Sequence, residues 1–158
     1  MVGKTTLGRI VAKNNDFEFI DTDDHIEKKN SMSIKEIFEK KGEKFFRVEE
    51  KIEILKLLKK KRCVISLGGG SFMNKAIRDE VLKNAISIWL DTNILILNKR
   101  SKWGVKRPLL NKTNNFSNIK KLYDERKNFY KLSNYKIICD KLSKREIAKK
   151  IMKLYERK

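Results

Sequence analysis

Residues 1–6 of the 158-residue chain read Met1-Val2-Gly3-Lys4-Thr5-Thr6, and this stretch is the most informative feature of the sequence. Gly3-Lys4-Thr5 matches the last three positions of the phosphate-binding pattern G-x-x-x-x-G-K-[S/T], in which backbone N–H groups and a lysine surround nucleotide phosphates. The first glycine of that pattern would fall before Met1. The fragment indicates ATP or GTP chemistry, but a Gly-Lys-Thr-Thr tetrapeptide alone also arises by chance.

Short apolar strands alternate with amphipathic helices after this fragment. Strands are predicted near residues 17–20, 63–67, 86–90 and 135–139. This alternation is typical of an α/β fold with a parallel sheet flanked by helices. Gly42 is predicted to end one helix, and the helix after it is predicted to bury Phe46, Ile52, Leu55 and Leu58. No repeat or linker interrupts the pattern, so we expect one domain over residues 1–158.

The net charge of +19 raises the question of nucleic-acid binding. Lysine outnumbers arginine 30 to nine, a bias expected from an A/T-rich genome that places lysine on solvated faces. No aromatic stacking platform or groove-reading motif accompanies the charge. We therefore expect no nucleic-acid partner, and a basic nucleic-acid-binding protein is the non-enzyme alternative.

The sequence also bears on location. No apolar run approaches the roughly 20 residues that a membrane span needs, and no secretory signal precedes the first helix. Cys63 and Cys139 lie in short apolar runs, as buried free thiols do in a reducing compartment. We expect a cytoplasmic protein with no membrane partner.

Unusual residues cluster after the predicted strands, where ligands of parallel sheets bind. Asp21 and Asp23 follow the first strand, and alternation along an extended chain would point both carboxylates into one cleft. Gly68-Gly69-Gly70 follows the second strand, where missing side chains let the backbone approach a ligand closely. Taken singly, the acidic pair is better explained as helix capping and Arg107 as an ion-pair partner. Their combination and order favour a ligand site.

In this order the motifs resemble those of shikimate kinases over essentially the whole chain. The markers are G-K-T-T at 3–6, F-I-D-T-D at 19–23, G-E-x-x-F-R-x-E-E at 42–50, L-G-G-G at 67–70, R-P-L-L at 107–110 and E-R-x-x-F-Y at 125–130. The resemblance implies a three-layer P-loop kinase fold. It also implies that the protein uses ATP and Mg²⁺ to phosphorylate the 3-hydroxyl of shikimate in aromatic amino-acid biosynthesis, and that it works as a monomer.

The resemblance further implies roles for individual residues, within a substrate-binding segment at about 21–50 and a lid at about 101–114. The catalytic residues are expected to be Lys4, Asp23 and Arg107. The substrate is expected to contact Asp23, Arg47, Gly68, Gly69, Gly70 and Arg126. ATP is expected to contact Gly3, Lys4, Thr5, Thr6, Arg100 and Arg107. The metal is expected to bind at Thr5 and Asp21.

The front of the chain departs from the family pattern. Family members carry a buried strand before the phosphate loop, expected at the centre of the sheet between the strands near 63–67 and 86–90. Without that strand we expect two unpaired inner edges and an apolar gap. Three interpretations follow: a protein that starts further upstream, which we favour; a truncated, inactive shikimate-kinase-like binding protein; or another small-metabolite kinase, such as a gluconate kinase.

Overall fold

The computed structural model describes residues 2–101 and 116–157, except for the side chains of residues 100 and 101. In the described residues, strands and helices alternate. The strands are β1 (Glu18–Asp21), β2 (Cys63–Ser66), β3 (Ile88–Asp91) and β4 (Tyr135–Ile138). The α-helices are α1 (Lys4–Asn14), α2 (Thr22–Asn30), α3 (Ile34–Leu57), α4 (Lys75–Asn84), α5 (Ile94–Ser101), α6 (Phe116–Tyr130) and α7 (Lys144–Tyr155). The predicted α/β class is confirmed.

The strands form two separate parallel pairs. β1 pairs with β2, with Glu18 opposite Cys63, and β3 pairs with β4, with Ile88 opposite Tyr135. Among the described residues, no strand pairs with the inner edge of β2 or of β3. A cavity of about 870 Å³ lies between these two edges. The expected gap at the centre of the sheet is therefore present.

Helices cover both faces of the strands, as the predicted three-layer arrangement requires. On one face, Leu7 of α1 and Ile147 of α7 pack with Ile137 of β4. On the other face, Ile54 of α3 packs with Ile77 of α4. These side chains are at most 5% exposed, so each layer buries its own apolar stripe. No helix within the described residues is both long and apolar enough to cross a membrane.

The acidic motif after β1 adopts a different conformation from the one predicted. Only Asp21 belongs to the strand; α2 begins at Thr22, and Asp21 is its N-cap, accepting a hydrogen bond from the Asp23 N–H. The predicted extended geometry of this motif is therefore wrong, although Asp21 and Asp23 do line one cavity. The orphan N–H groups of the first helical turn draw the Asp21 carboxylate inward instead.

Helix α3 is long and broken once. Its capping box at Ser33 and Glu36 is present, and Gly42 interrupts the helical geometry with φ 80° and ψ 165°. The predicted buried face after Gly42 is only partly right: Phe46 is 4% exposed, whereas Ile52 is 40% exposed. Glu50 and Glu53 occupy part of the buried face, which turns Ile52 towards solvent. Leu55 and Leu58 are partly buried.

Candidate active site

A threonine and two aspartates meet where β1 ends. The Thr5 hydroxyl, in the first turn of α1, donates a hydrogen bond to Asp21 Oδ2 at 2.7 Å. Because the other oxygen of Asp21 accepts the Asp23 N–H at 3.1 Å, the carboxylate is held from both sides. One hydroxyl and one carboxylate oxygen thus lie beside the start of α1. Hard oxygen donors of this kind suit Mg²⁺.

A buried glutamate holds the arginine of α3 in place. Arg47 Nη1 donates to Glu50 Oε2 at 2.9 Å, and Glu50 is 2% exposed. The other oxygen of Glu50 accepts the Ser71 hydroxyl at 2.7 Å, and the outer edge of the guanidinium contacts Glu43. Burial, the largest influence, lowers the pKa of Arg47, but the bonds and charges of Glu50 and Glu43 outweigh it and raise the pKa overall. The guanidinium therefore stays charged.

The glycine run lies directly against these polar groups. A β-carbon added at Gly68 would be 2.9 Å from Asp23 Oδ1 and 3.0 Å from Glu50 Oε1. A β-carbon added at Gly70 would be 2.9 Å from Arg47 Nη1. Any larger residue at either position would displace the groups that form the site. The atoms that would be displaced are the ends of flexible side chains, so glycine keeps these groups in their present positions. The predicted close approach of this backbone to a ligand stays a prediction.

A second arginine comes from α6. The Nε atom of Arg126 is buried, and among the described residues it has no hydrogen-bond partner. A buried, unpaired guanidinium N–H is costly, and such a group is commonly satisfied by a ligand. Arg126 therefore differs from Arg47, which already has two carboxylate partners in the protein.

Most of the residues predicted for the site line one cavity of about 390 Å³. These are Lys4, Thr5, Asp21, Asp23, Arg47, Gly68, Gly69, Gly70 and Arg126. Gly3 has a left-handed conformation before α1, and Thr6 is exposed in the first turn of that helix; neither lines this cavity. The side chain of Arg100, Arg107 and the predicted lid lie outside the described residues.

Sequence reasoning missed an ionic network that ties α2 to α3. Glu53 is 5% exposed and accepts hydrogen bonds from Lys29 at 2.7 Å, Lys56 at 3.1 Å and His25 at 3.1 Å. Burial acts to raise the pKa of Glu53, but these bonds outweigh it and hold the pKa at about 2. The i, i+4 spacing of His25 and Lys29 on α2 was the available signal. The network fixes α2, which carries Asp23, against α3, which carries Arg47.

The fold and the chemistry of this cavity define a class of protein. Parallel strands, a phosphate-loop motif before α1, and acids and arginines around one small cavity are typical of P-loop kinases of small metabolites. The chain belongs to the shikimate kinase family, whose pattern it matches over residues 1–156. It is therefore an enzyme, a phosphotransferase that acts on shikimate with ATP. The comparisons do not favour a gluconate kinase or a nucleic-acid-binding protein.

Known relatives agree with this assignment. The chain is 37% identical to the shikimate kinase of Sulfurihydrogenibium sp. (strain YO3AOP1), covering 99% of this chain and 93% of the relative. It is 44% identical to the shikimate kinase of Bacillus subtilis (strain 168), covering 93% of this chain and 80% of the relative. A solved structure of shikimate kinase from Acinetobacter baumannii in complex with shikimate superposes with a TM-score of 0.93 at 32% identity, covering 99% of this chain and 88% of the other.

Proposed function

We propose that this chain transfers the γ-phosphoryl group of Mg²⁺-bound ATP to the 3-hydroxyl of shikimate within the cavity of about 390 Å³. One observation carries the proposal: the carboxylates of Asp21 and Asp23, the guanidinium of Arg47 and the backbone of Gly68 to Gly70 line the same small space. A carboxylate base to activate a hydroxyl, a cation to bind a carboxylate and a glycine-rich wall are groups that suit this transfer.

The nucleotide side of the proposal rests on the start of α1. Gly3 precedes the helix, no side chain of the described residues caps its first N–H groups, and its first turn holds no acidic residue. The positive end of the helix dipole is thus open to an anion. We assign Gly3, Lys4, Thr5 and Thr6 to ATP, with Lys4 against the β- and γ-phosphates.

The metal side of the proposal rests on the pair of oxygens at 2.7 Å, the Thr5 hydroxyl and Asp21 Oδ2. Mg²⁺ prefers few protein ligands and keeps several waters beside substrate phosphates, so two hard oxygens suffice for its site. When bound, the ion neutralises charge on the transferring phosphates. Thr5 and Asp21 would hold it there, Asp21 through a water molecule.

Two arginines and one aspartate are proposed to bind shikimate through their side chains. Arg47 and Arg126 offer planar donors to the shikimate carboxylate, a geometry that favours paired hydrogen bonds. Asp23 accepts hydrogen bonds from the ring hydroxyls and takes the proton of the attacking one, which is general-base catalysis. Gly68, Gly69 and Gly70 supply backbone N–H groups to substrate and phosphate.

The two remaining arginines complete the assignment. Arg107, in the lid at about 101–114, is proposed to neutralise the charge that develops on the transferred phosphoryl group. Arg100 is proposed to stack on the adenine ring. Both assignments rest on the resemblance to shikimate kinases, in which Arg107 belongs to the R-P-L-L motif at 107–110.

We further propose that the enzyme works as a monomer in the cytoplasm. Two features support this. Cys63 and Cys139 are free thiols, which suits a reducing compartment. The residues proposed to bind substrate line one cavity within a single copy of the chain, which is compatible with a monomer.

A coupled assay of ADP release tests the proposed function. With ATP and Mg²⁺, we expect ADP release that depends on shikimate, and a phosphomonoester of shikimate in the ³¹P spectrum. Gluconate, another polyhydroxy acid, is the matched control and should give no release. ADP release that is independent of shikimate, or equal with gluconate, contradicts the proposal.

A further inference from the structure

Tyr130 is a tyrosine next to the cavity that the roles above do not use. It is the last residue of α6, four positions after Arg126. Its ring packs against the buried cluster that contains Ile54 and Phe72, and it lies 6.0 Å from the ring of Trp89. These contacts hold the ring, so its hydroxyl has a fixed position relative to the core.

The hydroxyl of Tyr130 donates a hydrogen bond to the carbonyl oxygen of Gly69 at 2.5 Å. The carbonyls on either side are held as well: Gly68 accepts from the Ser71 N–H at 3.2 Å, and Gly70 accepts from the Met73 N–H at 3.1 Å. The glycine run therefore has all three carbonyl groups fixed, although glycine itself restrains its backbone least of all residues.

The N–H groups of Gly68 to Gly70 differ from their carbonyl groups in hydrogen bonding. The Gly68 N–H donates to the Thr22 hydroxyl at 3.1 Å. Within residues 2–101 and 116–157, no group accepts a hydrogen bond from the N–H of Gly69 or Gly70. A trans peptide directs its C=O and N–H to opposite sides. The bond from Tyr130 to the Gly69 carbonyl thus sets the direction in which the Gly70 N–H points.

We propose that Tyr130 is a positioning residue, whose hydroxyl orients the Gly69–Gly70 peptide so that the Gly70 N–H is presented to shikimate. The proposal rests on the proposed function, because shikimate is the acceptor. Gly70 lies beside Arg47, since a β-carbon there would be 2.9 Å from Nη1. The oriented N–H and the guanidinium would then bind neighbouring polar groups of one substrate molecule.

The alternative is that Tyr130 only anchors α6. Tyr123 serves as a control that distinguishes this anchoring role from the positioning role. Tyr123 lies two turns earlier on α6 and also donates its hydroxyl, to Asp91 Oδ1 at 3.0 Å. Both hydroxyls anchor α6 to the carboxyl end of a strand pair. If anchoring is the whole role of Tyr130, then Tyr130→Phe and Tyr123→Phe should have the same consequences.

The kinetic test compares these two variants with the wild-type enzyme. For Tyr130→Phe we expect the KM for shikimate to rise about fivefold to tenfold, as loss of one hydrogen bond would produce, with the KM for ATP unchanged. For Tyr123→Phe we expect both KM values to stay within about twofold of wild type. We expect Tyr130→Phe to lower Tm no more than Tyr123→Phe, because Tyr123 loses a bond to a carboxylate and Tyr130 a bond to a backbone carbonyl.

A spectroscopic test reads the peptide orientation without substrate. With ¹⁵N-glycine labelling, the seven glycines give a short set of amide resonances. In Tyr130→Phe we expect the Gly69 and Gly70 amides to shift or broaden, because the peptide is released to rotate. Gly42, in the break of α3, is the internal control and should not move.

The outcomes separate this inference from the proposed function. An unchanged shikimate KM in Tyr130→Phe, equal KM changes in both tyrosine variants, or unmoved Gly69 and Gly70 amides would each overturn the positioning role while wild-type activity stands. A wild-type chain with no shikimate-dependent signal in calorimetry or ADP release would contradict the proposed function, and the inference would fall with it.

Discussion

The two strand pairs hold different halves of the site, and the halves differ in how their polar groups are satisfied. In the half built on β1 and β2, Arg47, Glu50 and Glu53 are paired with one another or with neighbouring side chains. In the half built on β3 and β4, Arg126 Nε and the Thr92 hydroxyl are buried, and among the described residues they have no hydrogen-bond partner. The protein itself fixes the polar groups of the first half. The second half, in the described residues, keeps unpaired hydrogen-bond donors that a ligand can satisfy.

This difference suggests how the enzyme divides its work. Groups that must keep one geometry for chemistry are held by networks that satisfy every charge, since an unpaired buried ion is costly. Groups that meet the substrate can carry an unsatisfied donor, because binding satisfies it.

The largest effect is expected at Asp23, whose carboxylate is proposed to take the proton of the attacking hydroxyl. Asp23→Asn should lower kcat on the order of 10²- to 10⁴-fold, because an amide is not a general base at neutral pH. ADP release at saturating shikimate measures this. The matched control is Asp24→Asn, an exposed carboxylate one residue along, which should change kcat less than about twofold. If the Asp23→Asn variant were as active as Asp24→Asn, Asp23 would not be the general base.

Glu50 tests whether the network of the first half is needed for the fold. Glu50→Gln should lower the free energy of unfolding by about 2 kcal/mol, because Arg47 loses its buried charged partner while it keeps Glu43 and is partly exposed. The exposed partner of the same guanidinium provides the control: Glu43→Gln should cost less than about 1 kcal/mol. Urea denaturation measures both. Equal losses would mean that burial does not distinguish the two ion pairs.

Glu53 tests the contribution of the same half through the pH dependence of the free energy of unfolding. Its pKa lies at about 2, below the ordinary 4.5, so its contribution to stability is complete above about pH 4.5 and is lost as pH falls towards 2. Glu53→Gln should therefore cost about 2 kcal/mol at pH 7, allowing for the partly exposed Lys29, and progressively less in acid.

Chemical denaturation of both proteins between pH 7 and pH 3 measures this difference. Glu39→Gln, in an exposed pair with Lys35, is the control and should show no such trend. A gap between wild type and Glu53→Gln that stays constant with pH would show that the charge of Glu53 does not stabilise the fold.

Arg126 should give the smallest effect on stability, with the opposite sign. Arg126→Met removes a buried unpaired donor, so the free energy of unfolding should rise by about 1 kcal/mol while shikimate binding weakens. Arg78 is the control, because it donates to the carbonyls of Phe72 and Met73 and should cost about 1 kcal/mol when changed to Met. Thermal denaturation measures the stability of both variants. If Arg126→Met were less stable than wild type, the unpaired donor of Arg126 would not be a cost to the fold, and the two halves would not differ in this way.

Much of the fold was predictable because its signals are local. Alternating apolar runs and helices predicted the parallel α/β arrangement, and the motif order predicted which residues would line one cavity. The gap between β2 and β3 was predictable from the motif truncated at Gly3. The S-x-x-E spacing of Ser33 and Glu36 is also a local signal of a helix start, and the capping box is present.

The rest depended on contacts that sequence spacing does not encode. The capping of α2 by Asp21 replaced the predicted extended geometry, although both place Asp23 at the cavity. The exposure of Ile52 followed from the burial of Glu50 and Glu53, which apolar periodicity cannot anticipate. The bond from Tyr130 to Gly69 joins residues 61 positions apart, so only the folded chain reveals it.

The central claim is that Arg47 and Arg126, one from each half, together bind the carboxylate of shikimate. Calorimetric titration of the wild-type chain with shikimate and with shikimate methyl ester, without nucleotide, tests it most directly. We expect the ester to bind at least about tenfold more weakly, because it is uncharged and lacks the two equivalent oxygens that accept paired hydrogen bonds from a guanidinium. Equal affinities for the acid and the ester would contradict it.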